Sequence, residues 1–330
     1  MSRLLTVVAF GLPAALVGLL ASVGTTAQAG LLNVVSGAQA AYSLRRLDDD
    51  YTGYVVQVRR ASDNAVQNIG FDAAGQLDTA AVIGFVGSGD GYITTWYDQA
   101  GTHNLVQGLV ERQPQIVAAG SLLSDPVNGL PALRFSSNSL TYSGTGIGNN
   151  TMSILAAASW FPWTVPPLDT YVGRRLWTMR QGAASKAAFG GENGQFALAY
   201  AGSSVASSTT GVPIPGNTPV VTSYIYDATQ AVGADTIHWY LNGDVDWSDT
   251  GLTLTGIPNV NHFDVGSLEG TMRFFDGFVQ ELFVYHGVLS DADRALVERN
   301  MMSLYIPEPT AFAALLCVVM LWLGWHRPRS

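Results

Sequence analysis

Between Gly30 and Leu289 the chain has no stretch with the period of a long amphipathic helix. Short runs of β-branched and aromatic residues alternate there with Gly, Asn, Asp and Ser. Such runs bury their apolar side chains by pairing edge to edge and stacking face to face, so the pattern restricts the fold to a sandwich or barrel. The densest run is FVQELFVY over 278–285. Its Phe, Val and Tyr suit a strand buried on one or both faces. LSDADR follows over 289–294. Ser290 offers a hydroxyl to cap a helix, and Asp293 stands three positions on, as in a capping box. Val297, Met301 and Leu304 give that helix one apolar stripe. The globular part therefore closes on a central strand and one short covering helix.

Upstream, 51–60, 92–97, 114–117, 132–135, 152–160, 175–181, 195–201 and 220–226 read as further strands. TIHWYL over 236–241 runs into Asn242-Gly243, the strongest short hairpin signal, which specifies a type I′ turn. Asp98-Gln99-Ala100-Gly101 reads as a turn, with Asp supplying an acceptor and Gly a free φ. Residues 40–47 and 79–86 read as short helices, and 203–210 and 213–219 as low-complexity loops within one domain.

Both ends read as sorting devices. Arg3 precedes an apolar run over 4–20, and Ala27-Gln28-Ala29 has the small-x-small form of a signal-peptidase site. Residues 1–29 are thus a signal peptide, and 30–306 form one all-β domain. At the other end Pro307-Glu308-Pro309 precedes an uncharged apolar segment over 310–325, then His326, Arg327, Pro328 and Arg329. As a helix that segment covers about 24 Å, marginal for a bilayer, and its arginines would hold the end in the cytoplasm. The order motif, span, basic end resembles the PEP-CTERM sorting signal of Gram-negative bacteria. The resemblance implies transient anchoring in the inner membrane by transmembrane segment 310–325, removal of 307–330 by an exosortase, and delivery to the cell envelope or extracellular matrix. A retained anchor at either end is the alternative.

Asp and Glu number 25 against 16 Lys and Arg, for a net charge of −9, and Lys186 is the single lysine. That balance gives nucleic acid no footprint. The one cysteine, Cys317, lies in the tail segment, so the domain has no disulfide and no Cys-based metal site or nucleophile.

Two blocks resemble known families. WYLNG over 239–243, Asp276-Gly277 and LSDADR resemble the laminin-G/concanavalin A-like jelly roll. AYSLR over 41–45, YVVQVRRASD over 54–63, TWYDQAG over 95–101 and Asn104 are similar to the catalytic domain of the α-L-arabinofuranosidase B family, glycoside hydrolase family 54. Both imply an all-β concanavalin A-like jelly-roll sandwich of two antiparallel sheets with a short C-terminal helix. The second implies retaining hydrolysis of terminal α-L-arabinofuranosyl groups on a polysaccharide. The family's nucleophile is a Glu in a Gly-His-Met-Glu-Ala-Ile-Tyr-Phe-Gly segment. The counterpart here, GQFALAYAG over 194–202, puts Ala197 at the carboxylate position. The family's acid is an Asp in a Gly-Gly-Asp-Asn turn before the last strand. Here the turn is Gly266-Ser267-Leu268-Glu269-Gly270.

A retaining glycosidase needs two carboxyl groups about 5–5.5 Å apart. The glutamates ahead of the tail are Glu111, Glu192, Glu269, Glu281 and Glu298. Glu192 and Glu269, on loops, form the candidate catalytic pair, with plain loop charges as the alternative. Glu281 reads as a satisfied core carboxylate and Glu298 as a solvated surface charge. Asp98 is either a turn cap or a sugar or Ca²⁺ ligand. Trp163, in the proline-rich FPWTVPP segment over 161–167, and Trp247 are candidate sugar-stacking rings, while Trp177 and Trp239 read as core. His103, His238, His262 and His286 lie at no metal-ligand spacing, and the chain asks for no cofactor and no metal. Two readings stay open: a carbohydrate-active enzyme of the arabinofuranosidase type, or a non-catalytic lectin-like or extracellular-matrix protein on the same fold.

Overall fold

The computed structural model describes residues 30–162, 173–201, 205–254 and 256–307. Residues 1–29, read above as a signal peptide, segment 310–325 and Trp163 lie outside the described residues. The elements begin with α1 (Leu31–Val34), β1 (Ala38–Ser43), β2 (Val56–Arg60), β3 (Val66–Ile69), α2 (Thr79–Val86) and β4 (Gly91–Trp96). Then come β5 (Leu105–Val106), a 3₁₀ turn (Val110–Arg112), β6 (Gln115–Ala118), β7 (Ser121–Leu122), β8 (Leu133–Ser136) and β9 (Leu140–Ser143). The long strands follow: β10 (Thr151–Trp160), β11 (Gly173–Gln181), β12 (Ala184–Glu192), β13 (Gln195–Ala201), β14 (Val205–Pro213) and β15 (Pro219–Asp227). The chain continues through β16 (Asp235–Leu241), β17 (Asp244–Leu252), β18 (His262–Val265), β19 (Asp276–His286) and α3 (Asp291–Tyr305).

Every ladder between these strands is antiparallel. One face of the sandwich runs β17-β16-β15-β10-β19-β1, and the other runs β14-β13-β12-β11-β18-β9. β8, β6, β4 and β5 carry the hydrogen bonding from β19 round to β9, so the two faces join at one side.

β19 lies at the centre, between β1 and β10, and its residues from Gly277 to Tyr285 are buried. The period-2 geometry of strands explains how it serves two cores. Val279, Leu282 and Val284 join the main core between the sheets, with Ile154, Ala156 and Tyr224. Phe283 and Tyr285 point the other way, with Leu155, Ala157 and Val221, into a second cluster covered by α1 and α3. The main core is dense in aromatic rings: Phe196 lies 5.2 Å from Trp160, 5.7 Å from Phe189 and 5.1 Å from Trp239 between centroids. Each such contact contributes roughly 0.5–1.5 kcal/mol beyond area burial. Trp177 and Trp239 are both buried core residues, as the sequence suggests.

Several sequence expectations are corrected. Residues 40–47 do not form a helix. Ala38–Ser43 is a strand, because Ala41 and Tyr42 pair with Phe283 and Leu282 and face opposite cores. Tertiary pairing here overrides alanine's helix preference. Val205–Pro213 is a strand paired with β13 rather than a loop. Glu298 is 2% exposed, not solvated; it accepts from Arg294 Nη1 and, at 2.6 Å, from Ser223 Oγ. Leu304 is 39% exposed, and Tyr305 completes the buried stripe of α3 with Val297 and Met301. Asn242 and Gly243 both have positive φ, 51° and 89°, as the expected type I′ turn demands.

Candidate functional site

The segments bearing Glu192 and Glu269 meet at one end of the β11-β12-β18 ladder. Glu192 is the last residue of β12, next to the tight turn Asn193-Gly194, whose φ values of 52° and 78° suit Asn and Gly. It pairs across to Gly173 on β11 and Gln195 on β13. Close approach of β12 to β11 requires Gly190, since a Cβ there would lie 2.0 Å from the Arg174 carbonyl oxygen.

From β11, Arg175 reaches Glu192 Oε2 at 3.6 Å. From the turn before β19, Arg273 approaches the same oxygen at 4.0 Å. The Arg273 carbonyl accepts from the Arg175 amide at 2.8 Å, which ties that turn to β11. Arg175 is 4% exposed, and its guanidinium is pushed down to about 10, first by burial and then by the neighbouring Arg273 cation, with Glu192 opposing. Two guanidinium groups therefore converge on one half-buried carboxylate.

Glu269 occupies the turn closed by Leu268 and Met272, whose backbone groups exchange hydrogen bonds of 2.8 and 3.1 Å. Its φ is 61° and that of Arg273 is 50°, so two non-glycine residues hold left-handed conformations within one short turn. Ser267 Oγ accepts from the Gly270 amide at 3.0 Å and braces it. Backbone strain of this kind costs about 1 kcal/mol or more per residue and persists where the surroundings over-determine it. Beside the turn, Asp276 takes Arg134 at 2.8 Å and Arg174 at 3.7 Å. Burial lowers Arg134, with Asp276 opposing.

The remaining candidates lie elsewhere. Asp98 is 2% exposed, and Oδ1 accepts from the amides of Ala41 and Ala100 at 2.8 and 2.9 Å. Oδ2 accepts from the His103 amide at 2.9 Å, with the His103 ring 3.4 Å away. Those partners make it the cap of its turn. Trp247 is half-buried in β17 against the main core, opposite Trp239. Glu281 is fully buried and receives Ser43, Arg45 and Tyr305, which fits the reading as a core carboxylate. Among the described residues no group of three His, Cys, Asp or Glu could hold a metal ion, and no helix is long and apolar enough to cross a membrane. Arg174, Arg175 and Arg273 went unread in the sequence. Their signal is the pair Arg174-Arg175 at the start of a strand and the single Arg273 in the turn ahead of the last strand, in a chain poor in cations.

Residues 34–122 match the family of alpha-L-arabinofuranosidase B, catalytic. The match covers β1 to β7, including Asp98, and stops short of Glu192 and Glu269. No curated protein matches the sequence. Among solved structures, a GH54 α-L-arabinofuranosidase soaked with 4-nitrophenyl α-L-arabinofuranoside is 16% identical, with a TM-score of 0.60 over 83% of this chain. An arabinofuranosidase complexed with arabinofuranosyl-α-1,2-xylobiose is 15% identical, with a TM-score of 0.59 over 83% of this chain. Only 64% of each of those two chains is covered, so this protein spans less than two thirds of their length. The GH54 structure soaked with a cyclic sulfate inhibitor is 16% identical, with a TM-score of 0.57 over 85% of this chain and 67% of that one. At such identities the shared property is the fold, and it is the jelly-roll-like β fold of the arabinofuranosidases. Relative to that family's nucleophile segment, Ala197 lies on β13, 1% exposed and paired with Gly190.

Proposed function

We propose that this protein is an exported carbohydrate-active protein that hydrolyses terminal α-L-arabinofuranosyl groups of a polysaccharide. The observation that carries the reading is the convergence at Glu192: Arg273, four residues beyond Glu269, approaches a carboxylate 81 positions earlier in the chain. Glu192, faced by the guanidinium groups of Arg175 and Arg273, acts as nucleophile on the anomeric carbon. Glu269 gives its proton to the leaving oxygen as the glycosidic bond breaks. It then takes a proton from the water that releases the sugar from Glu192, so configuration is retained. The arabinofuranosidase-type fold and the family match over 34–122 support the substrate class.

Aryl α-L-arabinofuranoside hydrolysis by the purified protein tests this. Glu192→Gln and Glu269→Gln each cost at least 100-fold in kcat; undiminished turnover in both overturns the assignment. A second reading, a non-catalytic glycan-binding or extracellular-matrix protein, is favoured by the buried Ala197 at the family's nucleophile position. Arabinan retention without turnover in the wild type selects it. Export and removal of the tail by an exosortase belong to the same proposal, and mass spectrometry finding Trp325 in the mature protein counts against the removal.

A further inference from the structure

On the flank where β2, β4, β6 and β8 meet lies a polar cleft of about 610 Å³ that the reaction at Glu192 does not use. Its size is in the range of small-molecule sites. Its wall holds Arg59, Tyr92, Gln113, Gln115, Arg134 and Asn138. Arg59 is 5% exposed. Its Nε donates to Gln113 Oε1 at 2.6 Å and its Nη1 to Asn64 Oδ1 at 2.9 Å, and the guanidinium lies 4.9 Å from the Tyr92 ring centroid. Among the described residues no carboxylate pairs with it. A buried cation held only by neutral amides is costly unless something brings a negative charge. Arg134, by contrast, already has Asp276. The amides are fixed as well: Gln113 Nε2 donates to the Gln107 carbonyl at 3.0 Å, Asn138 Nδ2 to the Gln113 carbonyl at 3.0 Å, and Gln115 Nε2 to the Val117 carbonyl at 3.0 Å. A pre-set guanidinium among fixed amides matches a carboxylate carried on a hydroxyl-rich ring.

We propose that this cleft binds a uronic acid residue of an acidic glycan, with Arg59 as the carboxylate-recognising group. The choice of a sugar over another carboxylate rests on the function proposed above. Asp276 connects the cleft to the candidate catalytic end, because it takes both Arg134 and Arg174. One acidic polysaccharide carrying arabinofuranosyl branches can therefore occupy both. Glu111, exposed on the rim, is the one carboxylate lining the cleft and opposes the ligand charge.

Calorimetric titration of the full chain with a galacturonate trimer tests the proposal, with the methyl-esterified trimer and free acetate as controls. The acid trimer binds, and the ester and acetate bind at least tenfold more weakly. Arg59→Lys loses at least tenfold because an ammonium cannot hold the fork geometry, while Glu111→Gln binds as well or better. Gln115→Ala, at a half-exposed position, loses several-fold and serves if Arg59→Lys does not fold. Equal binding of acid and ester, equal competition by acetate, or wild-type affinity in Arg59→Lys or Gln115→Ala overturns the proposal. Turnover lost in the Glu192 variant with trimer binding intact separates the two sites. Trimer binding by a protein with no turnover at all counts against the catalytic reading alone.

Discussion

Asp98 joins the N-terminal strand to the turn after β4 through three backbone amides, those of Ala41, Ala100 and His103. Removing its carboxylate leaves three buried donors without their acceptor. Asp98→Ala therefore costs about 3 kcal/mol, read as a lower midpoint in urea, whereas loss of an exposed sugar ligand would leave that midpoint unchanged. The turn around Asp98 was legible because Asp and Gly at that spacing have one local use. Glu298 was not legible: its burial depends on Ser223, 75 positions earlier, and on Arg294 lying 3.6 Å from the Tyr240 ring centroid. The arginine pair around Glu192 was hidden for the same reason, since no local pattern announces that residues 175 and 273 meet.

Elements with local punctuation were readable. Ser290 accepts from the Asp293 amide at 3.1 Å and starts α3 where the capping pattern places it. The Asn242-Gly243 hairpin also needed only its own dipeptide. β1 departs from the helix its sequence suggests because an alanine-rich segment carries little strand signal until β19 is beside it. The stripe on α3 ends one residue beyond Leu304, since the helix period carries Val297 and Met301 on to Tyr305. That register gives a paired prediction. Met301→Ala removes a fully buried side chain beneath the helix and costs about 3 kcal/mol. Leu304→Ala, on the exposed face, shifts stability by less than about 0.5 kcal/mol. Chemical denaturation of the two variants separates them; equal losses would mean that α3 packs in another register.

At the scale of the whole molecule, the two cores share one titration property. Tyr42 and Tyr226 in the main core, Tyr285 and Tyr305 beneath the helices, and Tyr51 near the surface all have phenols raised above the ordinary value of 10.0. Burial is the largest cause for each, and nearby carboxylates such as Asp98, Asp235 and Glu281 add to it. Tyr51 is pushed up to about 12. In the unfolded chain all five lose their protons near 10.0, while the folded chain keeps them. Between those limits the native state binds more protons, so stability falls as pH rises. The contribution of these groups is fully present below the unfolded value and is lost progressively above it, through about 12 for Tyr51 and higher still for Tyr226, Tyr285 and Tyr305. Because both cores are built on β19, the loss is shared by the whole sandwich. Alkaline titration followed by ultraviolet absorbance should show the exposed tyrosines ionising first. The buried set should then ionise in one steep step that coincides with loss of near-ultraviolet circular dichroism. Ionisation of all tyrosines near pH 10 in a protein that stays folded would mean that these rings are not enclosed between the two sheets and under α3.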